Sequence, residues 1–260
     1  MVKNTLSVDL ESFIHRQLNT KKRIESENGE TALAIKYLLD IFDKYNTKVT
    51  FFVLGEIYEW YPDLIEEIKK RGHEIGYHGH RHILFRNRET LLEDLKLSKK
   101  FLDTYKPIGF RAPRMFLKKE YLKILSDFGF KYDSSVYGQQ IEDIREFGIK
   151  EIPVSLSRYF GNSILNKFPQ GMRKELLLQG IPYGSGLFIS LLQKKIQYFI
   201  EKSHKKNIGS NLFIHPWQLS GYKETGSLPL IQKLSYRKKV DSVIEYLLGR
   251  NKFFPLKELV

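Results

Sequence analysis

Cysteine is absent from the 260-residue chain. Disulfides and thiolate metal sites are therefore excluded, and any bound metal must take His, Asp or Glu as ligand. The same absence fits a reducing compartment. No apolar stretch approaches the ~20 residues needed to span a bilayer, and the run after Met1-Val2-Lys3-Asn4 is too short for a signal-peptide core. The expectation is a cytoplasmic protein, at most peripheral to a membrane. Low-complexity segments, repeats of fixed period and an obvious linker are also missing. With 42% hydrophobic and 13% aromatic residues, the chain can bury one large core, so a single domain over residues 1–260 is expected.

Positive charge, by contrast, is plentiful at a net +13. Clustered Lys and Arg would suggest nucleic acid, an anionic membrane or a phosphorylated substrate. Here the pairs Lys99-Lys100, Lys118-Lys119, Lys194-Lys195 and Lys205-Lys206 are scattered over or beside expected helices, as on solvated outer faces. No specific nucleic-acid partner follows, while an anionic membrane surface stays open.

Short β-like runs alternate with helical patterns, which predicts an α/β fold with a mainly parallel sheet or barrel. Strands are expected at residues 5–9, 48–54, 74–77, 108–111, 131–133 and 211–215, with a short one at 253–254. Between them, Ala34, Leu38, Ile41 and Phe42 share a helical face, as do Leu64, Ile65 and Ile68 after Pro62. Leu91, Leu95 and Leu102 suggest one longer helix, and Leu192, Ile196, Phe199 and Ile200 another. Residues 136–187 are rich in glycine and proline and predict loops or a hairpin over one end of the barrel.

The chemistry-bearing residues fall at telling places. Asp9, His78, Arg111, Asp133 and His215 each stand at the downstream end of an expected strand, the ends that converge on the active face of a β/α barrel. His78 and His82 are four residues apart, a spacing that sets two imidazoles on one side of a helical turn and suits a zinc-like metal. Asp9 and Glu11 supply two carboxylates, of which a hydrolase needs one on the metal and one free to take a proton from water. Arg111, followed by Ala112 and the stiffening Pro113, can orient a carboxylate and hold it ionised. His215 has the chemistry to protonate a departing amine, and Trp217 offers either an apolar wall for a sugar or simple core packing. His80 and His73 read as a loop histidine and a satisfier of backbone groups.

Taken in order, five motifs resemble those of the polysaccharide deacetylases, carbohydrate esterase family 4. They are Ser7-Val8-Asp9-Leu10-Glu11, the run from Gly72 to His82, Arg111-Ala112-Pro113, Tyr132-Asp133-Ser134-Ser135 and His215-Pro216-Trp217. The Val-Asp-x-Glu opening and a Gly184-Ser185-Gly186-Leu187-Phe188 loop are most similar to the exopolysaccharide-locus branch. The resemblance implies a distorted (β/α)7 barrel and removal of acetyl from an N-acetylated sugar, with a divalent metal, zinc first. It implies Asp9 as general base, Arg111 as its holder, His78 and His82 as metal ligands and His215 as general acid. Asp133 would steady Arg111 or His215, and Pro113 and Trp217 would meet substrate. Many members carry two adjacent aspartates in the first motif. Here Leu10 follows Asp9, so the carboxylate ligand is Glu11 or, failing that, Asp9. A lipid-linked or polysaccharide precursor is the expected substrate. Two alternatives remain: a cyclic amide or imide hydrolase of the allantoinase kind, and a catalytically silent polyanion-binding protein.

Overall fold

The computed structural model describes residues 2–17, 27–139, 147–159, 174–220 and 239–260. Its centre is a parallel sheet of β1 (Asn4–Leu10), β2 (Thr50–Val53), β3 (Glu74–Tyr77), β4 (Gly109–Phe110), β5 (Tyr132–Asp133), β6 (Lys150–Glu151), β7 (Asn211–Ile214) and β8 (Phe253–Phe254). Seven of these run in the order β7-β1-β2-β3-β4-β5-β6, and β8 pairs with Asn4 and Thr5 of β1. This is the α/β barrel arrangement, with the chain order of the strands following their order around the barrel.

Strand β1 is buried along its whole length, yet it alternates Leu6, Val8 and Leu10 with Thr5, Ser7 and Asp9. Side chains of a strand alternate between faces. The apolar file joins the core formed with the helices Glu30–Lys44 and Pro62–Lys70, whose Leu38, Phe42, Ile65 and Ile68 are buried. The polar file looks into the barrel, where Thr5 bonds Asn211 and Ser7 and Asp9 meet Arg111.

Among the described residues no ladder joins β6 to β7, so the barrel is incomplete. Side chains and a loop close the seam. The Asn211 amide donates to the carbonyls of Ile152 at 3.2 Å and Pro153 at 3.1 Å. Gly184 bridges the two sides, its N–H donating to Ser155 and its carbonyl accepting from Phe213. A Cβ at Gly184 would lie 2.3 Å from the Asn211 carbonyl oxygen, which explains the glycine.

The long helix expected through Leu91, Leu95 and Leu102 is instead two, Arg88–Leu97 and Lys99–Tyr105. The break is at Ser98, whose hydroxyl hydrogen-bonds His80 Nδ1 at 3.0 Å. In the region expected to be loops or a hairpin, Ser157–Arg158 pairs antiparallel with Gly180–Ile181, and Tyr137–Gly138 pairs parallel with Val154–Ser155. The remainder of that expectation, residues 140–146 and 160–173, lies outside the described residues. The paired lysines are exposed apart from half-buried Lys118, as solvated faces require. Among the described residues no helix is long and apolar enough to cross a membrane.

Candidate active site and metal centre

The downstream ends of β1, β3, β4 and β7 deliver Asp9, His78, Arg111 and His215 to one place. Just past Asp9, a three-residue turn closed by the Glu11 N–H on the Asp9 carbonyl, at 2.9 Å, brings round a second carboxylate. Glu11 Oε2 lies 2.6 Å from His82 Nε2 and 4.0 Å from His78 Nε2, while Oε1 is 3.5 Å from His215 Nε2. Oε2 is buried without a hydrogen bond.

A buried oxygen without a hydrogen bond is expensive unless something replaces the missing donor. His78 shows what that is. Its Nδ1 is 2.7 Å from the Arg111 carbonyl, which can only accept, so Nδ1 carries the hydrogen and Nε2 presents a lone pair towards Glu11. Burial pushes His78 down to about 4, so the ring is neutral at physiological pH. For Glu11, burial acts to raise the carboxyl, but His82 foremost, then His215 and His78, hold it well below the usual range. Glu11, His78 and His82 are the three described residues whose ligand atoms converge closely enough to share an ion. Two imidazole nitrogens and a carboxylate form a three-ligand set that leaves positions for water and substrate, so the residues fit a divalent metal.

The spacing of the two histidines is not delivered by a helical turn. Residues 78–82 form a loop, with left-handed backbone at Gly79 (φ 87°) and His82 (φ 57°). The loop is clamped by Asp94, which accepts the His80 N–H at 2.9 Å and the Tyr77 hydroxyl at 2.6 Å. Burial pushes Asp94 up to about 6. The Gly79 and His80 carbonyls accept N–H groups from Gly55 and Glu56 at the start of the helix Gly55–Trp60. His80 itself turns away to Ser98. His73 accepts the Val49 N–H at 3.2 Å. Sequence reasoning missed Asp94, although a carboxylate between Leu91 and Leu95 on a core-facing helix stripe was the available signal.

Arg111 is fully buried and spends its donors on named oxygens. Nη1 donates to Asp9 Oδ1 at 2.6 Å and to Ser7 Oγ at 2.8 Å. Nε donates to the Ser134 carbonyl and Nη2 to the Ser134 hydroxyl. The expectation for Asp133 is corrected: its carboxylate accepts from the Ser135 hydroxyl at 2.6 Å and the Ser135 N–H, rather than from Arg111 or His215. Successive strand residues face opposite ways, and it is Ser134 that meets the guanidinium. Asp133 acts at one remove, because the Ser135 hydroxyl it holds accepts the Ala112 N–H. Its buried neighbour Glu151 is raised well above the carboxylate range by burial and then by Asp133 itself, which keeps a proton on the pair.

Pro113 differs from the expected substrate contact, and Trp217 follows its packing alternative. Both are buried: Pro113 lies against Gly79, and the Trp217 ring stacks on the His215 imidazole with centroids 4.5 Å apart. Neither offers an open surface to a sugar. Trp217 instead backs the imidazole. The His215 side chain is 15% exposed against 2% for Glu11, so solvent reaches the site past His215.

Residues 28–132 match the family model for polysaccharide deacetylase. Over those residues the chain is similar to the polysaccharide deacetylase family. A curated peptidoglycan-N-acetylglucosamine deacetylase from Bacillus cereus is 27% identical over 49% of this chain and 67% of its own length. A peptidoglycan deacetylase from Helicobacter pylori is 31% identical over 40% of the chain, which spans only 37% of that relative. Among solved structures, a Mycobacterium smegmatis chain described as a polysaccharide deacetylase shares the fold, with TM-score 0.60 and 18% identity over 98% of this chain and 89% of that one. An allantoinase shares it as well, at TM-score 0.58 and 14% identity over 97% of this chain and 85% of that one. The family match spans the His78 to His82 loop and Arg111, whereas Asp9, Glu11 and His215 join them only through the fold.

Proposed function

We propose that this chain is a metal-dependent hydrolase that removes the acetyl group from an N-acetylated sugar. The observation that carries the reading is the buried Glu11 Oε2, without a hydrogen bond, facing the ring nitrogens of His78 and His82 beside a clamped Asp9. A divalent ion held there, zinc by its taste for imidazole and carboxylate, would polarise the acetamide carbonyl and make a nearby water more acidic. Asp9 accepts a proton from the attacking water while Arg111 fixes its Oδ1. The C–N bond breaks as His215 delivers a proton from Nε2 to the leaving amine, giving acetate and a free amino sugar.

The curated relatives act on peptidoglycan. For this chain a lipid-linked or exopolysaccharide precursor in the cytoplasm is the more specific reading. Its supports are the Val-Asp-x-Glu opening, the Gly184 to Phe188 loop and the +13 charge, which would attract a diphosphate or an anionic membrane.

The test joins metal analysis to acetate release from a panel of N-acetyl sugars and cyclic ureides. Asp9→Asn should keep the metal and lose activity, and Glu11→Ala should lose metal and recover partly in excess metal. The opposite pattern would exchange the two roles. Turnover of the ureides alone would favour a cyclic amide hydrolase, and turnover of neither class would leave a binding protein.

A further inference from the structure

Gln218 follows the His215-Pro216-Trp217 run and is fully buried, an unusual place for an amide without a task. The short helix Trp217–Ser220 turns the chain so that the Gln218 side chain comes back on residue 215. Its Oε1 accepts the His215 N–H at 2.8 Å and stands 3.1 Å from His215 Nδ1. Its Nε2 donates to the Gly186 carbonyl at 2.8 Å and to Ser190 Oγ at 2.6 Å. The orientation of this amide is fixed from both ends, because a carbonyl can only accept and a backbone N–H can only donate. An oxygen therefore faces His215 Nδ1, and Nδ1 must carry a hydrogen.

We propose that Gln218 is the positioning residue for His215: it locks the ring with Nδ1–H inward and leaves Nε2 as the one atom that exchanges a proton with the reaction. Nε2 is the nitrogen that faces Glu11 and the His78–His82 loop. A neutral amide does this without itself taking the proton, which an ionised carboxylate in the same place could do. Trp217 fixes the plane of the ring by stacking at 20°, and Gln218 fixes its rotation within that plane. Gly186 makes room for the pair. A Cβ there would stand 2.5 Å from Gln218 Oε1 and 3.1 Å from His215 Nδ1, so the Gly184-Ser185-Gly186 loop and the His-Pro-Trp-Gln run form one device.

The proposal rests on the reading of His215 as the acid that protonates the amine. An aryl acetate ester needs no such proton, because its phenolate leaves unaided, whereas an acetamide does. In the metal-loaded full-length chain, Gln218→Met and Gly186→Ala should lower the amide-to-ester ratio of kcat by ~10²-fold, the size of a misplaced catalytic group. KM for the N-acetyl sugar and the metal content should hold. In 15N spectra of labelled His215, the wild type should show a protonated Nδ1, and Gln218→Met a mixture of tautomers. Equal losses on amide and ester, or an unchanged Nδ1 signal, would overturn the proposal and reduce Gln218 to packing. His215→Ala run beside them separates the two ideas. If it lowers amide and ester turnover alike, the acid role of His215 fails, while the 15N spectrum still decides whether Gln218 holds Nδ1.

Discussion

Replacing Arg111 by Met should cost far more than any surface change of charge, and the structure says why. The guanidinium is fully buried between the rings of Phe52 and Phe213, 4.3 and 5.0 Å from their centroids. Methionine fills comparable length but removes every donor, leaving Asp9, 3% exposed, without the cation 2.6 Å from its Oδ1. Breaking a buried pair from one side costs about 3–5 kcal/mol, because the remaining charge is neither hydrated nor compensated. An exposed pair such as Lys99 with Asp103 is worth ~0–1 kcal/mol. If the penalty is the stranded carboxylate, Asp9→Asn combined with Arg111→Met should recover about 2 kcal/mol of it. Equilibrium urea unfolding of the chelator-treated protein at neutral pH would measure all three variants, with m-values compared to confirm a common unfolded state. A loss below ~1 kcal/mol for Arg111→Met, or a double variant no more stable than the single, would refute the reasoning.

Three further outcomes follow from the geometry. Burial pushes His73 down to about 4, so its neutral form stabilises the fold fully above the unfolded value near 6.5 and loses that contribution as pH falls towards 4. The difference, about 3 kcal/mol, should appear as an acid-side decline in urea stability that His73→Gln flattens. A Cβ at Gly109 would stand 2.2 Å from the Tyr132 ring, which its hydroxyl tethers to Glu74 at 2.9 Å, so Gly109→Ala should destabilise by about 3 kcal/mol in the same assay. Asn211→Leu removes the amide donor from the Pro153 carbonyl and one of two donors from the Ile152 carbonyl, which keeps the Ser134 hydroxyl, and should cost about 1–3 kcal/mol, with faster amide exchange in β7.

The strands were legible because a run such as Thr50-Phe51-Phe52-Val53 is β-branched and aromatic, bounded by glycine, and buried on both faces as a parallel strand should be. Placing Asp9, His78, Arg111 and His215 followed from that alone, since barrel geometry brings strand ends together. What lay beyond reach was set by tertiary contacts. The local spacing of His78 and His82 suggested a helical turn, but Gly79 and His82 take left-handed backbone because Asp94 and the Gly55 helix hold the loop between them. The family resemblance implied that Asp133 steadies Arg111 or His215. The pleat of the strand gave that place to Ser134 instead. Trp217 was read as a sugar platform or as core. Its stacking on His215 depends on the short helix that follows, and nothing in its own identity announces that contact.

The polar file inside the barrel links these observations. Strands buried on both faces are ordinarily apolar, so Thr5, Ser7 and Asp9 on β1 need compensation, and they find it in Asn211 and Arg111. Those two residues in turn meet at a single atom. Ser134 Oγ accepts from Arg111 Nη2 at 2.8 Å and from Asn211 Nδ2 at 3.2 Å, and donates to the Ile152 carbonyl at 2.7 Å. A hydroxyl has one hydrogen and two lone pairs, so this one is saturated. Asn211 and Ile152 are the two sides of the open seam, and Arg111 is the group that holds Asp9. Ser134 Oγ thus ties the open seam of the barrel to the guanidinium that holds Asp9 beside Glu11, His78 and His82. Removing the Ser134 hydroxyl would take a partner from Arg111, Asn211 and the Ile152 carbonyl together, so it should loosen the seam and the hold on Asp9 at once.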